Sequence, residues 1–177
     1  MPRRRFGLVA FASILAAGCS RAGSEPQAPT NPLLTRVALE RTPCFGWCPQ
    51  YEVSATADGR VTFRGLHRWR GIAQEWRIAP EAVAVLGRAF LAADFFSLGD
   101  VVPGAPACGA VATDHPSIVL SASEPNREHR VNYYTGCAGT DGASAPAALQ
   151  ALANRLDSVT GAARVVDSLQ AARTPAR

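Results

Sequence analysis

Cys44-Phe45-Gly46-Trp47-Cys48-Pro49 is the densest concentration of reactive side chains in this sequence. Two thiols four residues apart are soft donors of the kind that copper prefers. His67, His115 and His129 are the histidines available, and Cys44, Cys48 and His115 are the set this alternative would use. A thiol-exchange role is a weaker alternative, because C-x-x-C is the usual redox spacing and this motif is one residue longer. The simpler reading is structural. Cys108 and Cys137 bring the group to four, and an even set in an exported protein most simply forms two disulfides, with three connectivities open.

Other polar groupings point to less. Asp114-His115 has the look of half a catalytic dyad, but it lies in a proline-bounded loop and no G-x-S-x-G nucleophile elbow accompanies it, so turn chemistry explains it better. Asp94, near the end of an expected helix, reads as a cap for loop amides. Arg60, Arg64, Arg68 and Arg70, with Trp69 and Trp76 nearby, are weak candidates for binding an anionic glycan or a lipid headgroup; a solvated sheet face accounts for them more simply. No catalytic residue, resident metal or cofactor is expected, and the reading is of a protein that is not an enzyme.

The fifth cysteine carries the clearest signal. Arg3-Arg4-Arg5 precede an uncharged run from Phe6 to Ala17, which closes on Ala16-Ala17-Gly18-Cys19. A basic start, a short apolar core and small residues before the cut describe a signal peptide over 1–18, too short for a permanent membrane span. Cys19 is then expected to take the lipid, leaving residues 19–34, rich in Pro, Ser, Gly and Ala, as a flexible tether. The expected partner is a membrane, through the lipid on Cys19. Ser20 is not the Asp that commonly retains lipoproteins at the inner membrane, so an outer-membrane, periplasm-facing location is expected. The chain has 18 basic and 14 acidic residues. Without Arg3–Arg5 the difference falls from +4 to +1, which gives no reason to expect nucleic acid.

The elements that would hold these side chains are mostly strands. Arg36–Glu40 and Tyr51–Thr56 alternate apolar with polar or small residues, and Asp58-Gly59 is a hairpin signal. The return strand is expected to run as far as Arg70, with Val61, Phe63, His67 and Trp69 on one face. Ile72–Ile78 alternates again. Pro80 suits the first turn of a helix, and Val83, Leu86, Phe90 and Ala93 form its apolar stripe. Residues 99–116, with three prolines and three glycines, read as a long surface loop. Strands Ser117–Ser123 and Glu128–Tyr134 follow. Ser144 is a possible N-cap for a helix carrying Leu149, Leu152, Leu156 and Val159. The expected fold is α+β: an antiparallel sheet of five to six strands, meander plus hairpin, packed on one face by two helices. It forms a single domain over 35–162, with 163–177 as a disordered or frayed tail.

Arg41-Thr42-Pro43-Cys44-Phe45-Gly46-Trp47-Cys48-Pro49-Gln50-Tyr51 resembles the opening of the bacterial family catalogued as domain of unknown function 6438. That resemblance continues through Asp58-Gly59, Val61-Thr62-Phe63-Arg64-Gly65, Asp94-Phe95-Phe96-Ser97-Leu98, Thr113-Asp114-His115-Pro116 and a closing helix, over roughly residues 35–160. It implies a small α+β domain, often on lipoproteins, with no established activity. Cys108 and Cys137 lie outside the family pattern, so one cysteine pair belongs to the family and one is an addition, which favours Cys44–Cys48 and Cys108–Cys137. The C-x-x-x-C-P segment also resembles the copper motif of Sco-type cytochrome-oxidase assembly proteins. There, however, the motif leads into a helix, whereas Cys48 here leads into a strand pattern. The functional expectation is a lipid-anchored cell-envelope domain that binds or scaffolds; the alternative is a periplasmic copper-binding or thiol-redox module.

Overall fold

The computed structural model describes residues 34–140 and 145–172. The expected signal peptide, the lipid on Cys19, the tether up to residue 33 and the Ser144 cap lie outside the described residues. Leu34, placed in the tether by its composition, instead belongs to the core: it is buried and packs beside Gly87.

Six strands form one antiparallel sheet: β1 (Arg36–Arg41), β2 (Tyr51–Thr56), β3 (Arg60–Gly65), β4 (Ala73–Arg77), β5 (Ser117–Glu124) and β6 (Arg127–Tyr134), in the spatial order β4-β3-β2-β1-β5-β6. Side-chain alternation along each strand, combined with the register, lays the inward residues in transverse rows. One row crosses Val61, Ala55, Val37 and Ala122. The next crosses Phe63, Val53, Leu39, Leu120 and Val131, and the last carries Tyr51, Arg41, Ile118 and Tyr133. Helices cover this face: α1 (Pro80–Ala92), α2 (Ala145–Thr160) and α3 (Ala162–Ala171). Val83, Leu86 and Phe90 of α1 and Leu149, Leu152, Ala153 and Leu156 of α2 are their buried stripes. The fold is α+β.

Three expectations change. Residues 163–171 are no frayed tail; they belong to α3, a third helix. Gly161, at φ +82, ends α2 and turns the chain, and α3 then buries its own Ala162 and Val166 in the core. Trp76 fastens this corner, its indole N–H donating to the Thr160 carbonyl at 2.8 Å. The second change concerns β3, which stops at Gly65 instead of running to Arg70. A Cβ on Gly65 would overlap the Trp69 carbonyl, so glycine permits the chain to fold back there through a short 3₁₀ turn, His67–Trp69. Trp69 thus enters the core from a turn and not from a strand, with its ring stacked at 6.4 Å from Tyr51. Third, Asp94 sits in the left-handed region at φ +50 and makes no side-chain cap, so its expected capping role is not observed.

The opposite sheet face carries no helix among the described residues. Its small residues Ala38, Ser54 and Val119 are nevertheless buried, beneath a lattice of long charged side chains. Glu52 holds both Arg36 and Arg64, and Glu40 holds Arg130. Among the described residues no helix is long and apolar enough to cross a membrane.

Candidate functional site

Arg41 is the last residue of β1 and, by alternation with Val37 and Leu39, it points to the helix-covered face. A guanidinium can sit there only if a carboxylate meets it. Asp157 does so from α2, accepting from Arg41 Nη2 at 2.7 Å and from Nε at 3.0 Å. Tyr51, directly opposite Arg41 in the β1–β2 register, donates its hydroxyl to Asp157 Oδ1 at 2.7 Å and accepts from Arg41 Nε at 3.0 Å. Burial by itself would lower the Arg41 pKa, but the charge of Asp157 and the Tyr51 hydroxyl outweigh it and raise the value. Burial, reinforced by the Asp157 charge, pushes the Tyr51 phenol far above its ordinary value. A phenol held neutral is a poor proton carrier near neutral pH.

Beside this triad lies a cavity of about 270 Å³, lined by Cys48, Pro49, Tyr51, Pro116, Ile118 and Val166 together with Arg41 and Asp157. That volume falls just short of the roughly 300–1,000 Å³ usual for small-molecule sites.

The Cys44–Cys48 turn closes the same end of the sheet. Its sulfurs are bridged, with Cα atoms 5.8 Å apart, and Gly46 takes φ +111 inside the ring. Thr42 fastens the approach: its backbone N–H donates to the Ser117 carbonyl at 3.0 Å, and its hydroxyl accepts from the Ser117 N–H at 2.7 Å. The Phe45 N–H donates to the Asp114 carbonyl at 3.2 Å. Phe45 itself is 86% exposed. Trp47 meets Trp69 edge-on at 6.5 Å, and the Arg68 guanidinium lies over its ring at 5.0 Å.

The remaining candidates are scattered. Cys108 is bridged to Cys137, with Cα atoms 4.9 Å apart. His115 is exposed on the loop that receives Phe45, His67 occupies the 3₁₀ turn, and His129 lies across the sheet with a ring nitrogen 2.8 Å from the Leu98 carbonyl. Among the described residues no three His, Cys, Asp or Glu side chains are grouped to hold a metal. Asp114 sits at φ +69 and accepts from the Thr113 hydroxyl, which is turn chemistry. The arginine stripe divides. Arg60 and Arg64 face outward from β3 and pair with Glu75 and Glu52, while Arg68 and Arg70 belong to the turn beyond it. A shallow depression of about 510 Å³ brings Arg64 and Arg70 together with Glu40 and His67.

A family model described as a domain of unknown function, DUF6438, matches residues 35–160. The chain belongs to this family. The match takes in β1, the bridged turn and α2, and so contains every member of the Arg41–Tyr51–Asp157 triad. No curated protein matches the chain. No member of the triad is a site candidate in the sequence: Arg41 and Tyr51 read only as the ends of the cysteine motif and as strand residues, and Asp157 is not singled out at all. Its signal is a charged residue four positions after Ala153 and eight after Leu149, on the apolar stripe of α2, where a carboxylate needs a cation.

Proposed function

We propose that this DUF6438 domain is a lipid-anchored, non-catalytic binding or scaffolding module of the bacterial cell envelope. The observation that carries the reading is the disposition of the cysteines. Cys44, Cys48, Cys108 and Cys137 are all bridged, which suits an oxidising compartment and leaves Cys19, behind Ala16-Ala17-Gly18, for the lipid. Ser20 favours transfer to the outer membrane, with the domain facing the periplasm. The non-catalytic part is supported by the triad, whose ionisable groups satisfy one another, and by the small size of the cavity beside it.

Labelled fatty acid fed to expressing cells should enter the wild-type chain and not Cys19→Ala. Wild-type protein should also stay with the membranes through a high-salt wash. A wild-type chain that takes no label, or that salt releases, overturns the anchor. The copper or thiol-redox alternative requires reduced Cys44 and Cys48. Titration of periplasmically expressed protein should find four oxidised cysteines in the domain, and free thiols that take up copper(I) stoichiometrically would overturn the structural role.

A further inference from the structure

Every arginine in a strand is paired: Arg36, Arg41, Arg60, Arg64, Arg77, Arg127 and Arg130 each lie within 4.0 Å of a carboxylate. Arg68 and Arg70, both exposed, have no carboxylate partner among the described residues. Arg68 lies directly over the Trp47 ring of the bridged turn that presents Phe45, and Arg70 follows two residues on in the same exposed segment. Two cations without a carboxylate therefore adjoin solvent-facing aromatics here, whereas the arginines of the strands are all paired.

This tip is stiff. The disulfide closes the ring around Phe45-Gly46-Trp47, the Phe45 N–H is tied to Asp114, and Trp47 abuts Trp69, which is itself buried against Tyr51. Leaving a phenylalanine in water forgoes about 1.5–3 kcal/mol of burial, and Trp47, also exposed, stands two residues away in the same ring, so the two make one apolar patch of the kind that marks a contact surface.

We propose that the Cys44–Cys48 turn and the adjoining His67–Arg70 segment form a docking tip for an anionic phospholipid surface. Phe45 and Trp47 enter the headgroup layer, and Arg68 and Arg70 meet the phosphates. A glycan would meet the arginines and stack on one ring face, but it offers no apolar phase for a protruding Phe45 to enter. The headgroup region supplies an apolar phase and negative charge at the same depth, and Trp and Arg side chains suit that boundary. Of the acids near this segment, Glu40 shares a depression with Arg70 but is already paired with Arg130, and Asp114 lies on the adjoining loop.

The idea deepens the anchored reading and rests on it for reach. The tip lies at the Arg41 end of β1 and the tether enters at the Arg36 end, about 20 Å away at strand rise. Sixteen residues from Cys19 to Leu34 span at most about 55 Å, enough to bring the tip back to the membrane that holds the lipid.

The test uses the mature chain from residue 19 onward carrying Cys19→Ala, so that neither an acyl chain nor the apolar run of residues 6–17 contributes, with tip variants compared in that one background. Co-sedimentation with phosphatidylglycerol/phosphatidylethanolamine vesicles at low salt should fall about thirty-fold in Arg68→Gln/Arg70→Gln and about ten-fold or more in Phe45→Ser. Brominated lipids should quench a tryptophan that Trp47→Phe removes. Arg88→Gln/Arg155→Gln takes the same charge from exposed helix positions and should change binding little. Equal losses in both arginine pairs, equal binding to phosphatidylcholine vesicles, or a preference for a soluble polyanion over vesicles would overturn the docking tip. Acylation of Cys19 with indistinguishable tip variants sinks this inference alone. Vesicle binding by the tip, together with a wild-type chain whose Cys19 takes up no fatty acid in cells, sinks the anchor alone.

Discussion

Tyr51 and Asp157 lie 106 residues apart in sequence, yet the Tyr51 hydroxyl donates to Asp157 Oδ1 at 2.7 Å, joining the second strand to the second helix. The aromatic ring is held in turn by Phe63, stacked at 5.1 Å. Because Arg41 uses the other carboxylate oxygen, the triad works as a clamp between the sheet end and the helix layer. Tyr51→Phe should cost about 1–2 kcal/mol, one donor to a charged acceptor. Asp157→Ala leaves a half-buried guanidinium without its carboxylate and should cost about 2–4 kcal/mol, toward the lower end because the Arg41 side chain keeps 22% of its exposure. Urea denaturation of Arg41→Met, Asp157→Leu and their double variant should give a double loss well below the sum of the singles. Additive losses would dissolve the clamp.

The same phenol makes stability fall in alkali. The Tyr51 pKa is raised in the fold by burial first and by the Asp157 charge second. The unfolded chain therefore releases that proton from about pH 10 while the native chain keeps it. Its contribution is complete below about pH 10 and is lost as pH rises toward the folded value. Tyr133, also raised by burial, adds to the slope, so the comparison that matters is with Tyr51→Phe. Denaturation midpoints between about pH 9 and 11 should decline less steeply in that variant.

Strand faces were readable where alternation and burial agree. Val37 and Leu39, Tyr51, Val53 and Ala55, and Val61 and Phe63 are all buried at the spacing their sequence shows. The failures have local causes. Alternation continues in letters from Phe63 to His67 and Trp69, but Gly65 allows a fold-back that period-2 reasoning cannot detect. Gly161 reads as an end because glycine stops helices; here it stops one and starts another. Asp157 lacks any neighbour in sequence that explains it, since its partners come from the first two strands. The bridged turn was legible as a motif, whereas the exposure of Phe45 depends on how that motif sits on the finished sheet.

Two glycines should respond differently to one methyl group. Gly59, at φ +84, closes the β2–β3 hairpin, and a Cβ there would overlap the Ile78 carbonyl oxygen. Gly46, at φ +111, has open space around the same position. Gly46→Ala should lose only the conformational penalty, about 1–2 kcal/mol, whereas Gly59→Ala adds a clash with rigid backbone and should lose about 2–4 kcal/mol. Thermal denaturation of the two oxidised variants compares them directly. Equal losses would mean that strain alone matters at both sites.

The two disulfides should also separate. Chain entropy assigns about 2 kcal/mol to the five-residue Cys44–Cys48 ring and about 3.5 kcal/mol to the thirty-residue loop closed by Cys108–Cys137. The larger loop does not depend on sulfur alone. Val101 exchanges backbone hydrogen bonds with β6, donating to Asn132 and accepting from Tyr134, and the Ala112 and Ala138 amides bond to Gly136 and Ala110. Cys108→Ala/Cys137→Ala should therefore lower global stability while the sheet persists, because β1, β2 and β5 pair without help from this loop. Hydrogen exchange should show the Ala112 and Ala138 amides losing protection first, with Leu39, Val53 and Leu120 keeping theirs in native conditions. Cys44→Ala/Cys48→Ala should leave the Ala112 and Ala138 amides protected and speed exchange at Phe45 instead. Loss of protection throughout the sheet in the first variant would show that the loop staple is a condition of folding, and unchanged exchange at Ala112 would show that its backbone bonds suffice without it.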